Sequence, residues 1–185
     1  MTPGPIEPAD DVGARRAHND AMDAANADPH RLAPGLLPTP FTAEEIRAAS
    51  GSGKTIRLLV EEPGGTSFER VNRFVDCDAE GATLEQWRLA PGGEVDGEVS
   101  RGRVSWRELQ EHAAFPEATT IVRDEELELP FGRAACRRYE LAGDGGAPAA
   151  VFWFALELPG MPARYEVLVP GGVQRTTIRS VVAEH

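Results

Sequence analysis

The sequence is poor in the residues that usually carry reactive chemistry. Its four histidines, His18, His30, His112 and His185, lie far apart, and none has a second His or Cys at ligand spacing. No metal centre is expected from such a set. Only two cysteines are present, Cys77 and Cys136, in separate strand-like runs and without Cys-x-x-Cys spacing. That excludes a zinc ribbon or a dithiol redox motif, and two buried, reduced thiols are expected. There is no Gly-x-Ser-x-Gly elbow to present a nucleophile. No run approaches the roughly 18–20 apolar residues of a membrane span. Cations are outnumbered, with 19 Lys+Arg against 30 Asp+Glu and a net charge of −11. This disfavours a nucleic-acid or anionic-membrane surface, both of which demand a basic footprint. The first thirty residues also lack the short apolar core of a signal peptide, so the product is expected in the cytoplasm.

One stretch does suggest chemistry. "AASGSGKTIRLLVEE" contains Gly53-Lys54-Thr55, the end of a phosphate-binding loop, but the first glycine that such a loop needs is Ala48. The flanks are also reversed: "FTAEEIRAAS" reads as a helix before the loop and "TIRLLVEE" as a strand after it. No helix N-terminus then points at an anion. The expectation is a plain turn with Lys54 exposed to solvent and no bound nucleotide.

Residues 1–40 hold seven prolines (Pro3, Pro5, Pro8, Pro29, Pro34, Pro38 and Pro40) and no aromatic residue. This part is expected to be a poorly packed N-terminal segment, with a short helix over 11–26. Residues 41–185 are expected to form a single β-rich domain. It opens at "PFTAEEIRAAS", where Thr42 with Glu45 makes a capping box and Phe41 with Ile46 a hydrophobic staple. The device recurs at "VSWRELQEHAAFP" with Ser105 and Glu108, staple Val104 and Leu109, and a stop at Pro116. Nine strand-like runs separated by Gly/Pro turns make up the rest. The fold class is therefore mainly β (α+β): a curled antiparallel sheet or half-barrel of about nine strands with two short helices.

The acidic run "RDEELELP" places Asp124, Glu126 and Glu128 on one face of a strand, at a spacing that would suit a carboxylate pair. Leu127 and Leu129 point the other way, so the acids read more simply as the solvated face of a half-buried strand. A hydrolase reading would need two of Glu126, Glu128 and His112 to meet in a pocket with Arg137 or Tyr139. His112 reads as a helix-end histidine near solvent. The densest apolar feature is "AAVFWFALELPGMPARYEVLV", in which Trp153 faces opposite to Phe152 and Phe154. Large aromatics on both faces fit either a filled core or an apolar cavity lined by some of Trp87, Phe152, Trp153, Phe154 and Tyr165.

"ELPFGRAACRRYEL" followed by "VFWFALELPGMPARYEV" resembles a pattern from uncharacterised bacterial proteins, many of them exported. Their layout is similar to curled antiparallel half-barrels of the lipoprotein-carrier type, in which a sheet wraps a helix. The resemblance implies a soluble, non-catalytic module that shelters an apolar or amphipathic small molecule, without a cofactor. A structural or protein-interaction domain with a filled core is the alternative.

Overall fold

The computed structural model describes residues 28–143 and 147–183; the expected helix over 11–26 lies outside them. Nine strands form one antiparallel sheet: β1 Thr55–Glu61, β2 Ser67–Val75, β3 Gly81–Leu89, β4 Val95–Ser105, β5 Thr120–Leu129, β6 Gly132–Ala142, β7 Pro148–Ala155, β8 Arg164–Val169 and β9 Gly172–Val182. Among the described residues, two helices of six residues, α1 Ala43–Ala48 and α2 Trp106–Glu111, and a 3₁₀ turn at Glu117–Thr119 accompany the sheet. The strand order is β4-β3-β2-β1-β9-β8-β7-β6-β5. Two meanders, β1–β4 and β5–β9, are thus sewn together along β1 and β9, and β4 and β5 are left as open edges.

That order forces the sheet to curl. Residues 106–119 must lead from one edge strand to the other. A flat sheet with eight inter-strand gaps of about 4.8 Å would be about 38 Å wide. A six-residue helix covers about 9 Å. Eight more residues reach about 27 Å only if fully extended. This connection bends, so it crosses under the sheet and the sheet wraps around it. Phe115 marks the crossing: its ring centroid lies 5.1 Å from Tyr139 in β6 and 5.0 Å from Phe152 in β7.

Both helices start as their sequences dictate. The Thr42 and Ser105 hydroxyls accept from the backbone N–H of Glu45 and Glu108, and each glutamate returns a bond to the cap. These bonds satisfy N–H groups that the first helical turn leaves without partners. The staple residues Phe41 and Ile46 are buried together in the core.

Apolar side chains occupy both faces of the sheet, for a different reason on each. The concave face carries Ile56, Leu58, Phe74, Tyr139 and Phe154 against the helices and Phe115. At the far corner the β5–β6 hairpin folds toward the opposite face. There Leu129, Cys136, Trp153, Ala155 and Ala163 are buried, and Arg164 in β8 donates to the Glu128 carbonyl in β5 at 3.2 Å across two intervening strands. Cys136 is fully buried, Cys77 is half-buried, and both are free thiols.

The Pro-rich stretch differs from expectation over the residues described. Thr39 and Pro40 are buried, and the Leu37 N–H donates to the Phe115 carbonyl at 2.9 Å. The Pro38 carbonyl accepts from the Tyr139 hydroxyl at 2.9 Å. Gln110 ties the strap down: its amide donates to Pro29 O at 2.9 Å and Thr39 Oγ1 at 3.0 Å, while its Oε1 accepts from the Ala43 N–H at 3.0 Å. Lack of aromatics misled because this segment docks through backbone N–H and carbonyl groups, which any sequence supplies, together with the Thr39 hydroxyl.

Candidate functional site

A cavity of about 290 Å³ lies between the concave face, the two helices and the turn at 160–162. Its apolar wall comes from Ile46 on α1, Ile56 on β1, Phe74 on β2 and the pair Phe152 and Phe154 on β7. Strand periodicity explains the composition. Phe68, Arg70, Asn72 and Phe74 alternate along one face of β2, and their neighbours Leu84 and Gln86 on β3 share it. Apolar and polar side chains therefore enter the same concavity from the same strands.

The polar lining is built around two cations. Lys54 was expected at the surface, yet only 4% of it is exposed, and this corrects the sequence reading. Its Nζ donates to the Ala49 carbonyl at 2.8 Å and contacts Ser50 Oγ at 3.4 Å, and it lies 5.9 Å from the Phe74 ring centroid. Burial pushes its pKa down, because the charged form loses hydration. The physical cause of the misreading is the tight turn at Ser52 and Gly53, which swings β1 back under α1. Gly53 adopts φ 92°, a conformation that suits glycine, and its N–H donates to Phe74 O at 2.7 Å. Helix, turn and strand follow in that order, as the flanks indicated.

Arg70 is the second cation. One terminal nitrogen donates to the Tyr165 hydroxyl at 3.2 Å, while its Nε is buried without a hydrogen-bond partner. Asn72 Oδ1 accepts from Gln86 Nε2 at 3.2 Å, and Asn72 Nδ2 lies 3.8 Å from Met161 Sδ. His112 is exposed at the rim. Among the described residues that line this cavity there is no Asp or Glu.

Of the five aromatics singled out from sequence, Phe152, Phe154 and Tyr165 line the cavity. Phe152 and Tyr165 stack with centroids 6.0 Å apart. Trp153 projects to the other face, where its Nε1 donates to the Glu125 carboxylate and the Arg138 guanidinium lies 5.4 Å from its ring. Trp87 pairs with Val71, on the face opposite to Gln86, and also lies outside the cavity. Glu126 and Glu128 are not brought to His112. Both are exposed and pair with Arg133, at 3.4 Å and 2.8 Å, and Asp124 pairs with Arg137 at 2.9 Å. Sequence reading missed Lys54, Arg70, Asn72, Gln86 and Met161. The signal available for Arg70 and Asn72 was their period-two register with Phe68 and Phe74.

Among the described residues, no cluster of three His, Cys, Asp or Glu could hold a metal, and no helix is long and apolar enough to cross a membrane. No protein-family model matches the chain, and no curated protein matches it. Two solved structures are similar in shape. One is a candidate exported protein with a YmcC-like fold from Bacteroides fragilis, at 11% identity and a TM-score of 0.43, covering 72% of this chain and 97% of its own. The other is a DUF1329 family protein from Desulfovibrio piger, at 9% identity and a TM-score of 0.27, covering 77% of this chain and 90% of its own. The cytoplasmic location expected from the first thirty residues is corrected against the first of these, which is described as exported, and that assignment is withdrawn.

Proposed function

We propose that the protein is a non-catalytic binding module that holds an apolar or amphipathic small molecule inside its curled sheet. One observation carries the reading: a cavity of about 290 Å³ opens among Ile46, Ile56, Phe74, Phe152 and Phe154, where a filled core would have interlocked these side chains. Protein interiors rarely keep voids much larger than a water. A mostly apolar concavity with a few converging polar groups is the usual form of a small-molecule site. The candidate carboxylates lie outside it, held by arginines on an exposed strand face.

Native mass spectrometry of the purified protein, together with displacement of a fluorescent fatty-acid analogue, tests this. The expected result is a bound small molecule, or saturable displacement by apolar competitors. A protein that carries no ligand and binds no analogue would overturn the proposal and favour a protein-contact role for the same fold.

A further inference from the structure

We infer that the cavity selects amphiphiles with an oxyanion head group, which Arg70 and Lys54 receive while the chain lies against Phe74, Phe152 and Phe154. The inference rests on the binding-module reading above and names the ligand class.

Charge distribution is the first support. The chain carries 30 acidic and 19 basic residues, yet the basic residues lining the cavity are Lys54, Arg70 and the rim histidine His112, with no carboxylate among the described lining residues. On other strands Arg133, Arg137, Arg138 and Arg175 each contact a carboxylate, while Arg164 is bonded to a carbonyl and Arg88 lies over the Phe68 ring. Lys54 and Arg70 have no carboxylate partner among the described residues. A buried charge is expensive unless it is paired or hydrogen-bonded, and carbonyl and hydroxyl partners offset that cost only in part.

Unused donors are the second. A guanidinium has five N–H groups in a planar fork. Arg70 commits one nitrogen to the Tyr165 hydroxyl and leaves a buried Nε unpartnered. Most buried polar groups in proteins have partners, so the guanidinium keeps donor capacity that the protein does not use. Carboxylate and phosphate oxygens match this fork in charge and spacing. The Tyr165 hydroxyl, which accepts from Arg70, can donate its own proton to the same head group.

Size is the third. A volume of about 290 Å³ lies at the lower end of the range for small-molecule sites, which suits a single-chain amphiphile of medium length.

The test compares decanoate, decyl phosphate, decanol and decyltrimethylammonium by calorimetric titration of the 185-residue chain. Decanoate and decyl phosphate should each bind at least about tenfold tighter than decanol, as a charge-assisted hydrogen bond provides. The cationic amphiphile should bind weakest. Between the two anions, tighter decanoate identifies a carboxylate head and tighter decyl phosphate a phosphate head. In Arg70→Met the preference for anions over decanol should collapse. It should be partly kept in Arg70→Lys and unchanged in Glu126→Gln, which lies outside the cavity. Equal binding of all four probes would overturn the oxyanion inference and leave the binding module standing. Binding of none would overturn both. If Arg70→Met does not fold, the head-group series on the unmodified protein decides alone.

Discussion

Lys54 Nζ donates to the carbonyl of Ala49, the residue that closes α1, at 2.8 Å, so a side chain from the residue just before β1 caps the preceding helix. The bond satisfies a terminal carbonyl that the helix cannot satisfy itself. Lys54→Ala removes this bond and the stem beside Phe74. The expected cost in chemical denaturation is about 1–3 kcal/mol, well above the half kcal/mol of an ordinary surface site. Lys54→Met should cost less, because it keeps the stem and relieves the desolvated charge. A loss below about 0.5 kcal/mol for Lys54→Ala would show that the side chain is solvated after all. ATP with Mg²⁺ should leave the melting temperature of either protein unchanged, since the loop has neither the first glycine nor the following helix.

The features legible in the sequence were those set by local rules. Capping boxes at Thr42 and Ser105, and turn residues at nearly every strand junction, give the two helices and nine antiparallel strands without any knowledge of the tertiary structure. What could not be read depends on how strands assemble. The β1–β9 pairing that joins the two meanders is a contact between distant parts of the chain, with Val60 opposite Thr176, and no local pattern announces it. For the same reason the alternation in "FWF" predicted that Trp153 and its neighbours face apart, but not which face would be hollow. Lys54 was misplaced because its burial arises from a helix folded back over its own turn.

Gln110 provides a check on the strap formed by residues 29–39. It is almost fully buried, both its N–H donors are used, on Pro29 and Thr39, and its oxygen accepts from Ala43. Gln110→Ala leaves the Ala43 N–H, the Pro29 carbonyl and the buried Thr39 hydroxyl each short of a partner and opens a small void. The expected loss is about 2–4 kcal/mol. For a domain of this size each kcal/mol lowers the thermal midpoint by roughly 2–4 °C, so a fall of several degrees should be seen. A change within experimental scatter would mean that the strap is held without this side chain.

Glu126 and Glu128 should behave as surface charges. Their contacts with Arg133 join side chains that are all more than 60% exposed, and such pairs contribute at most about 1 kcal/mol. Glu126→Gln and Glu128→Gln are expected to shift stability by less than that and to leave ligand affinity unchanged. A loss of affinity in either variant would move the binding site from the concave cavity to the β5–β6 face.

Tyr139 gives the sharpest pH signature. It is buried to 1% exposure, and burial pushes its pKa up to about 12 from an ordinary value of 10, against a smaller opposing pull from Arg137. Below pH 10 the phenol is neutral in both folded and unfolded chains, and its full contribution to stability is present. Between pH 10 and about 12 the unfolded chain releases the proton while the folded protein keeps it, so stability falls as pH rises. Integrated over the two units, the loss is on the order of 2–3 kcal/mol. Tyr139→Phe removes both the titration and the hydrogen bond to the Pro38 carbonyl, which is worth about 0.5–1.5 kcal/mol. The variant should therefore be less stable than the wild type at pH 7 and more stable near pH 12, with the two denaturation curves crossing in between. Lys54 and the other titrating groups are common to both proteins and cancel in the difference. Parallel stability profiles from pH 9 to pH 12 would show that Tyr139 ionises freely and that the strap does not seal it from water.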